Sequence, residues 1–297
     1  MKKGICQAKQ TGLAGRLYVS LLTLVNFRCR KRPKRDENNA VKDRISNLPD
    51  HVLLDNILSY LPTKDVVATS LLSRRWRRLF TGVTRLDCDD SPISHCAEHP
   101  HLTELFPTFK MFVDNMLQAC QSTITTTFRL HLANTNLDCN VGTVGYCYDT
   151  CYPEFEGVKK LDIHIRVREP DKLPSAIFNC RTLEVLKLDV NLDLEVPSTL
   201  CLPNLKELHI SVVCFPIDDS LTRLVSSCPS LEYMTLCGSL SPVIPISISS
   251  HSLRTLKLNT FFCSSILGSK LVLDVPNLEY LWYVDDCAPC SEIQKLQ

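Results

Sequence analysis

At 297 residues, 44% of them hydrophobic and 22% charged, the chain has the composition of a folded protein, which excludes disorder throughout. Its net charge of +1 is the sum of a basic and an acidic region. Residues 1–44 hold 12 Lys/Arg and 3 Asp/Glu, while the rest of the chain holds 21 Lys/Arg and 29 Asp/Glu. A positive surface spread over the folded part, as nucleic-acid binding requires, is therefore excluded.

Residues 1–40 combine an apolar stretch with a basic one. The apolar stretch, Leu17 to Phe27, has the character of a signal-peptide core, but it runs into the basic residues 28–35 without a small-residue cleavage site. It is also shorter than the roughly 20 residues that a membrane-spanning helix needs. We expect a poorly ordered extension and no stable membrane span, with a membrane-surface anchor or a nuclear-import tract as the alternatives.

The 16 cysteines are expected to be reduced. Several stand singly in apolar segments, where a free cysteine packs as a small hydrophobe, and this favours a cytoplasmic or nuclear protein. Cys287 and Cys290 form a CxxC motif, but no second pair completes the four ligands of a zinc site. We therefore expect no metal and no cofactor.

Residues 43–80 are predicted to form three short helices. Pro49 suits the first turn of the first helix, which ends at Pro62, while Thr63 and Ser73 are predicted to cap the second and third. Apolar residues cover an arc of about 160° on the first helix, wider than the roughly 100° stripe that faces one core. So small a unit cannot bury this surface alone. Either the downstream chain or a partner protein must cover it.

A strand pattern, L-x-x-L-x-L, recurs from about residue 83. Its clear copies start 22–26 residues apart, the spacing of leucine-rich repeats. They begin at Val158, Leu183, Leu205, Leu231, Leu253 and Leu278, with a weaker copy at Val83 and a further strand at Phe128 to Leu132. Stacked repeats share one core and form a curved parallel sheet. Prolines between the copies predict irregular or short-helical return segments.

Alternate residues of the predicted strands point away from this core. They give a mixed-charge face with scattered aromatic side chains, which suits a protein epitope better than a nucleic-acid backbone. The candidate target-binding residues on this face are Lys187, His209, Thr235, Lys257 and Trp282. A merely solvated sheet is the alternative interpretation.

The helical module resembles the F-box. The resemblance is carried by Leu48-Pro49, Ile57-Leu58, Leu61-Pro62, Asp65-Val66, Ser70, Leu72-Ser73 and Arg75-Trp76. It implies that the helices pack against the Skp-type linker subunit of an SCF ubiquitin ligase and, through it, reach a cullin. The linker contacts that it implies by position are Leu48, Pro49, Ile57, Leu58, Leu61, Val66, Val67 and Leu72. Trp76 is expected to pack the module against the repeats.

The repeats strengthen this resemblance. The segments Leu202-Pro203-Asn204-Leu205, Ser227-Cys228-Pro229 and Val275-Pro276-Asn277-Leu278 are similar to those of the plant F-box/LRR-repeat group, the F-box/FBD/LRR group. Many of its members end in an FBD domain, which we expect to be absent here because the sequence stops at Gln297. The resemblance covers about residues 42–286.

The predicted fold class is α/β, with a short three-helix F-box at residues 42–82. An irregular leucine-rich-repeat solenoid with a curved parallel sheet is predicted at residues 83–286, and a tail at residues 287–297. The resemblance implies a non-catalytic adaptor of an SCF-type cullin-RING ubiquitin ligase. It would bind the linker through the F-box and a target protein through the repeats.

Three rival functions remain open on the sequence. A repeat scaffold without ligase coupling would bind a target but no linker. An enzyme would need a nucleophile and a base, and the possible pairs, Cys120 with His131 and His209 with Cys214, have no supporting local signature, so no catalytic residue is assigned. Nucleic-acid binding through the basic residues 28–35 would depend steeply on salt. We expect no enzyme and no nucleic-acid partner.

Overall fold

The structure, a computed structural model, describes residues 45, 47–89, 109, 112–113, 115–116, 119–120, 125–132, 157–165, 175–190, 196–214, 219–240, 246–262, 270–285 and 292–295. The predicted extension at residues 1–40 and the motif of Cys287 and Cys290 lie outside the described residues. Among the residues that are described, no helix is long and apolar enough to cross a membrane.

Three short helices form the N-terminal module, as predicted. They are α1 (Asp50–Asn56), α2 (Thr63–Thr69) and α3 (Arg74–Leu79), with 3-10 turns at Leu58–Tyr60 and Phe80–Gly82. Ser73 caps α3, as predicted, because its side-chain oxygen accepts a hydrogen bond from the backbone N–H of Trp76. Each helix has about two turns and therefore depends on tertiary packing for its stability.

The first two helices differ from the prediction in two details. The sequence predicts one helix up to Pro62, but α1 gives way at Ile57, whose φ of −125° lies outside the helical range, and a 3-10 turn follows. The predicted cap at Thr63 is wrong, because α2 begins at Thr63 itself and has no side-chain cap. The Thr63 hydroxyl oxygen instead accepts a 2.6 Å hydrogen bond from the backbone N–H of Asp87, which ties the module to the first strand of the sheet.

In the part of the chain that the structure describes, eight parallel strands form the main sheet, in the order β1-β2-β3-β4-β5-β6-β8-β10. Their bounds are β1 Arg85–Asp89, β2 Thr127–Leu132, β3 Lys160–Ile165, β4 Val185–Val190, β5 Glu207–Cys214, β6 Tyr233–Leu240, β8 Thr255–Phe262 and β10 Tyr280–Asp285. Each strand lies on a predicted copy of the pattern, including the weaker copy on β1, except β2, which lies on the further strand predicted at Phe128 to Leu132. The predicted repeat solenoid with its parallel sheet is confirmed.

The repeat pattern sets the register of this sheet. The second apolar position of each repeat lies beside that of the next, in a row of Leu86, Phe128, Leu161, Leu186, Leu208, Met234, Leu256 and Leu281. All members are buried except Leu281 on the outermost strand β10, which is 42% exposed. The same core continues into the helical module through Trp76 and Phe80. Module and sheet are therefore stabilised together.

The secondary structure of the return segments differs along the solenoid. The 3-10 helix Ser175–Asn179 and α4 (Ser220–Ser226) agree with the predicted short-helical returns. Later returns are extended, and three of them form a second parallel sheet in the order β11-β9-β7. These strands are β7 (Ile246–Ser249), β9 (Lys270–Asp274) and β11 (Glu292–Lys295). The prediction is wrong here because short alternating apolar and polar runs favour extended backbone when a neighbouring strand is present.

The end of the chain also differs from the prediction. β11 lies within residues 287–297, for which a tail is predicted, yet Glu292–Lys295 pairs in parallel with residues 270–273 of β9. At the other edge of the second sheet, the Thr222 hydroxyl of α4 donates a 3.0 Å hydrogen bond to the Ser247 carbonyl. The return segments are thus stacked beside one another, as the strands of the main sheet are.

Candidate protein-docking surfaces

Among the described residues of the helical module, four large apolar side chains are exposed to solvent. Tyr60 is 76% exposed and Leu72 is 56% exposed, and Ile45 and Leu71 are exposed as well. They lie before α1, in the 3-10 turn after it, and in the turn that joins α2 to α3. We call these four residues the exposed apolar set.

The predicted linker contacts divide into three groups by burial. Pro49 and Leu72 are exposed. Three more are half-buried and pack against the core: Leu48, Ile57 and Leu61. The last three are each only 1% exposed: Leu58, Val66 and Val67.

The contact role that the resemblance implies for these buried three stays a prediction. Leu58, Val66 and Val67 belong to the core that runs from the module into the sheet, so the chain already covers them. A linker could reach them only if that core opened. Conversely, Tyr60 and Leu71 are exposed although neither was among the predicted contacts. Tyr60 lies on the wide apolar arc of the first predicted helix, and the 3-10 turn directs it outward.

Arg75 fixes the start of the module. Its guanidinium donates to the Asp50 carboxylate, at 2.8 Å from Nε and 2.6 Å from Nη2, and also to the carbonyl oxygen of Leu48. Because Arg75 is in the first turn of α3, these bonds hold the Leu48–Pro49 segment beside the turn that carries Leu72. Two stretches that are separate in sequence thus meet at one end of the module.

Trp76 and Thr63 lie where the module joins the sheet. Trp76 is buried in the continuous core, together with Leu79 and Phe80. Thr63 is buried too, and its bond to the Asp87 N–H crosses from α2 to β1. This junction combines apolar packing with a directional hydrogen bond, so it fixes the orientation of the two parts.

The five predicted target-binding residues lie in one row across the outward face of the sheet. The register places Lys187 beside His209, His209 beside Thr235, Thr235 beside Lys257, and Lys257 beside Trp282. They come from β4, β5, β6, β8 and β10, and the same row continues through Asp162, Arg129 and Asp87 on β3, β2 and β1. The structure therefore brings together residues that span almost a hundred positions of the chain.

The charges at the β1 end of this row pair with one another. Arg129 lies 3.2 Å from a carboxylate oxygen of Asp87 and 4.0 Å from one of Asp162. In the neighbouring row, the rings of His131 and His164 meet edge to face at 4.3 Å between centroids. His131 Nδ1 is 3.3 Å from Asp89 Oδ1, and His164 Nδ1 is 2.7 Å from Asp189 Oδ2. Charge in this region is largely neutralised within the chain.

The β4 to β10 end has a different chemistry. Lys257 Nζ lies 5.3 Å from the centre of the Tyr233 ring, whose other neighbour is the His209 ring at 5.1 Å. Burial first, and then the positive charge of Lys187, lower the pKa of His209, although nearby Glu207 opposes this. A hydrogen bond with Tyr233 raises the pKa of Lys257. This end of the outward face thus presents cations, a neutral imidazole and the aromatic rings of Tyr233 and Trp282.

Cys120, one of the two candidate nucleophiles, is deeply buried, as is Cys228. Burial raises the pKa of Cys120 to about 11 and that of Cys228 to about 12. The Cys120 thiol is therefore protonated at neutral pH and makes a poor nucleophile. The side chain of Cys214, the other candidate, lies outside the described residues. Among described residues, no group of three or more His, Cys, Asp or Glu could hold a metal ion.

Comparison with known proteins matches both parts of the chain. A family described as the F-box domain matches residues 45–87, and one described as FBD-associated F-box protein At5g56370, LRR repeats, matches residues 152–295. No solved structure matches.

Several curated relatives come from Arabidopsis thaliana. F-box/LRR-repeat protein At3g58900 is 34% identical over 83% of this chain and 74% of its own length. F-box/FBD/LRR-repeat protein At4g26340 is 36% identical over 82% of this chain and 55% of its own length. F-box/FBD/LRR-repeat protein At5g56420 is 36% identical over 74% of this chain and 50% of its own length, so the chain spans about half the length of these last two. Given these matches, the chain belongs to the F-box/LRR-repeat protein family.

Proposed function

We propose that this protein is a non-catalytic substrate-recognition adaptor of an SCF-type cullin-RING ubiquitin ligase. The F-box would bind a Skp-type linker and, through it, a cullin, while the repeats would bind a target protein. The observation that carries the proposal is the exposed apolar set on the helical module. Large apolar side chains left in solvent on an otherwise well-buried unit are typical of a protein-binding surface.

The linker contact that we propose differs from the one that the resemblance implies. It keeps Leu48, Pro49, Leu61 and Leu72, with Ile57 at its edge, and it gains Ile45, Tyr60 and Leu71. Leu58, Val66 and Val67 support this surface from inside, since they are already covered by the chain's own core. Tyr60 and Leu72 are the strongest candidate anchors because they have the most area left to bury.

The adaptor would act by proximity. It would hold a target where a ubiquitin-charged conjugating enzyme can reach its lysines, and no residue of this chain would take part in the chemistry. A shared core and the bond between Thr63 and Asp87 support this role, because they keep the linker end and the repeat face in one orientation. The thiols of Cys88, Cys120 and Cys228 are buried in the apolar core, which fits a reducing compartment, so we place the protein in the cytoplasm or nucleus.

A repeat scaffold without ligase coupling is the second candidate. The burial of Leu58, Val66 and Val67 favours it, because part of the implied linker contact is occupied by the chain itself. Such a scaffold would bind its target but would not co-purify with a linker subunit. One experiment therefore separates the two candidates.

That experiment compares two double variants in a pull-down with a purified plant Skp-type linker. Tyr60→Ser with Leu72→Ser removes the proposed anchors, and Tyr280→Ser with Leu281→Ser makes the same chemical changes at exposed positions on β10. Because interface anchors contribute about 1–3 kcal/mol each, the first variant should bind the linker at least about tenfold more weakly than wild type. The second should bind as wild type does. No linker binding by wild type, or equal binding by both variants, would refute the proposal.

A further inference from the structure

One stretch of the outward sheet face combines cations with aromatic rings. It consists of Lys187, His209, Tyr233, Lys257 and Trp282, on five successive strands of the sheet. We call these residues the basic–aromatic strip. Lys187 and Trp282 are exposed, and the other three are half-buried.

We propose that the basic–aromatic strip binds an extended acidic segment of the target protein, with an apolar side chain of that segment lying against Trp282. This inference rests on the proposed function only in calling the bound protein a target. The binding itself is a property of the repeats and requires no linker.

The pairing of charges supports an acidic ligand. On the rim of the sheet, Glu184 lies 3.3 Å from Lys159 and 3.6 Å from Lys206, so these two lysines have an anionic partner within the chain. Among the described residues, no carboxylate pairs in this way with Lys187 or Lys257. The two ammonium groups of the strip are therefore available to carboxylates from outside.

His209 lies between these two lysines, and the positive charge of each affects its pKa. Lys187 and Lys257 each act to lower its pKa, in addition to the larger effect of burial. The neutral imidazole can donate a hydrogen bond to an incoming carboxylate, and that carboxylate would offset the repulsion between the cations. Three carboxylates of the chain lie nearby. Glu207, at 3.7 Å from His209 Nε2, and Asp189, which is bound to His164, flank the row of Lys187, His209 and Lys257 without entering it. Asp162 lies in the row beside Lys187, on the next strand, and is 4.0 Å from Arg129.

The spacing of the strands indicates how long the segment is. Lys187 and Lys257 are three strands apart, which corresponds to about 14 Å at about 4.8 Å per strand. An extended chain rises about 3.4 Å per residue, so acidic residues four positions apart could reach both lysines. Trp282 is one strand further on, beside Tyr280 and Leu281, which are also exposed. An apolar residue one or two positions later would meet this exposed group.

A peptide fits this surface better than a nucleic acid. Nucleic acids carry a charge at every phosphate and need a continuous positive track. Here the two cations are separated by His209 and Thr235, and Glu207 and Asp189 lie on the same face. Discrete carboxylates at a fixed spacing match discrete lysines, whereas a polyanion would meet repulsion on either side.

The test measures peptide binding to the full 297-residue chain without any linker. The probe is a fluorescein-labelled peptide, GSEGSGEGLG, compared by fluorescence anisotropy with versions in which both Glu are replaced by Gln or by Lys. Wild type should bind the Glu peptide at least tenfold more tightly than the Gln peptide and should not bind the Lys peptide. Emission from the exposed Trp282 should shift on binding, while Trp76, the other tryptophan, is buried and serves as an internal reference.

Two matched variants complete the test. Lys187→Gln with Lys257→Gln should reduce the affinity for the Glu peptide to that of the Gln peptide. Lys159→Gln with Lys206→Gln removes the same charge from the rim and should leave the affinity within twofold of wild type. Equal binding of Glu and Gln peptides, no saturation below 1 mM, an equal loss in both variants, or tighter binding of a ten-nucleotide RNA would each overturn the inference. Since linker and peptide are never in the same assay, failure here is distinct from failure of the adaptor proposal.

Discussion

The helical module and the last strand of the main sheet both expose a tyrosine and a leucine, but for different physical reasons. On the module, Tyr60 and Leu72 are exposed although neighbouring apolar residues such as Leu58 are buried by the chain itself. Their exposure is therefore not explained by a lack of neighbouring structure. On β10, Leu281 occupies a core row and is exposed because β10 is the outermost of the described strands. The end of any stack of repeats leaves such a residue uncovered. Exposed apolar residues on the module are therefore stronger evidence for a binding partner than exposed apolar residues at the edge of the sheet.

The largest expected effect is on stability, and it distinguishes a core residue of the module from a residue of the proposed linker contact. Leu58→Ala should lower the free energy of unfolding by about 2–5 kcal/mol, because it leaves a cavity in a packed core. Leu72→Ala, at an exposed position, should change it by less than about 0.5 kcal/mol. Urea unfolding followed by circular dichroism measures both. If Leu58→Ala left stability unchanged and weakened linker binding, the contact role that the resemblance implies for Leu58 would be right after all.

A smaller effect is expected at the junction between module and sheet. Thr63→Val keeps the shape of the side chain but leaves the Asp87 N–H without its acceptor, which should cost about 1–3 kcal/mol. Thr81→Val is the control, since its hydroxyl donates a hydrogen bond to the Arg78 carbonyl in the same module and its side chain is more exposed. Thermal unfolding of both variants gives the comparison. Equal, small losses would mean that the junction depends on apolar packing alone.

Arg75 should matter more for linker binding than for stability. Arg75→Gln removes the bonds to Asp50 and Leu48 that hold the start of the module beside Leu72. We expect linker affinity to fall by about 1 kcal/mol, roughly fivefold, because the anchor residues lose their relative placement. Arg78→Gln, on the exposed side of the same helix, should have no effect. Isothermal titration calorimetry with the linker measures both, and an equal effect of the two would assign the loss to charge rather than to positioning.

The smallest expected effect is the pH dependence that His209 contributes. Its pKa in the folded protein lies below the ordinary value of about 6.5, so the folded state disfavours the proton. The associated stability is complete above pH 6.5 and is lost as the pH falls through the lowered pKa. His209→Gln should therefore reduce the fall in melting temperature between pH 7.5 and pH 5, and the change should be small because the ring is partly exposed to solvent.

The sheet and its outward row could be predicted from the sequence because they follow directly from the repeat. Once L-x-x-L-x-L aligns one strand with the next, the residues between the leucines align as well, so Lys187, His209 and Lys257 fall in one row. The return segments could not be predicted in the same way. Short runs such as residues 246–249 become strands only because a parallel neighbour is present, and nothing in their own sequence reveals that neighbour.

The exposed apolar residues of the module could not all be predicted from the sequence, for a similar reason. Periodicity shows which residues are apolar on a helix, but not which of them the rest of the chain will cover. Val66 and Leu72 look alike in the sequence, yet one lies in the shared core and the other in solvent. The break after α1 at Ile57, which turns Tyr60 outward, depends on backbone geometry that the apolar pattern does not specify.

Hydrogen exchange of the chain with and without a bound Skp-type linker tests the central claim most directly. The account predicts that the linker slows amide exchange in residues 45–49 and 57–72, around the exposed apolar set, and leaves the strands from β4 to β10 unchanged. Protection confined to the repeats, or no change around Tyr60 and Leu72 at a saturating linker concentration, would contradict it.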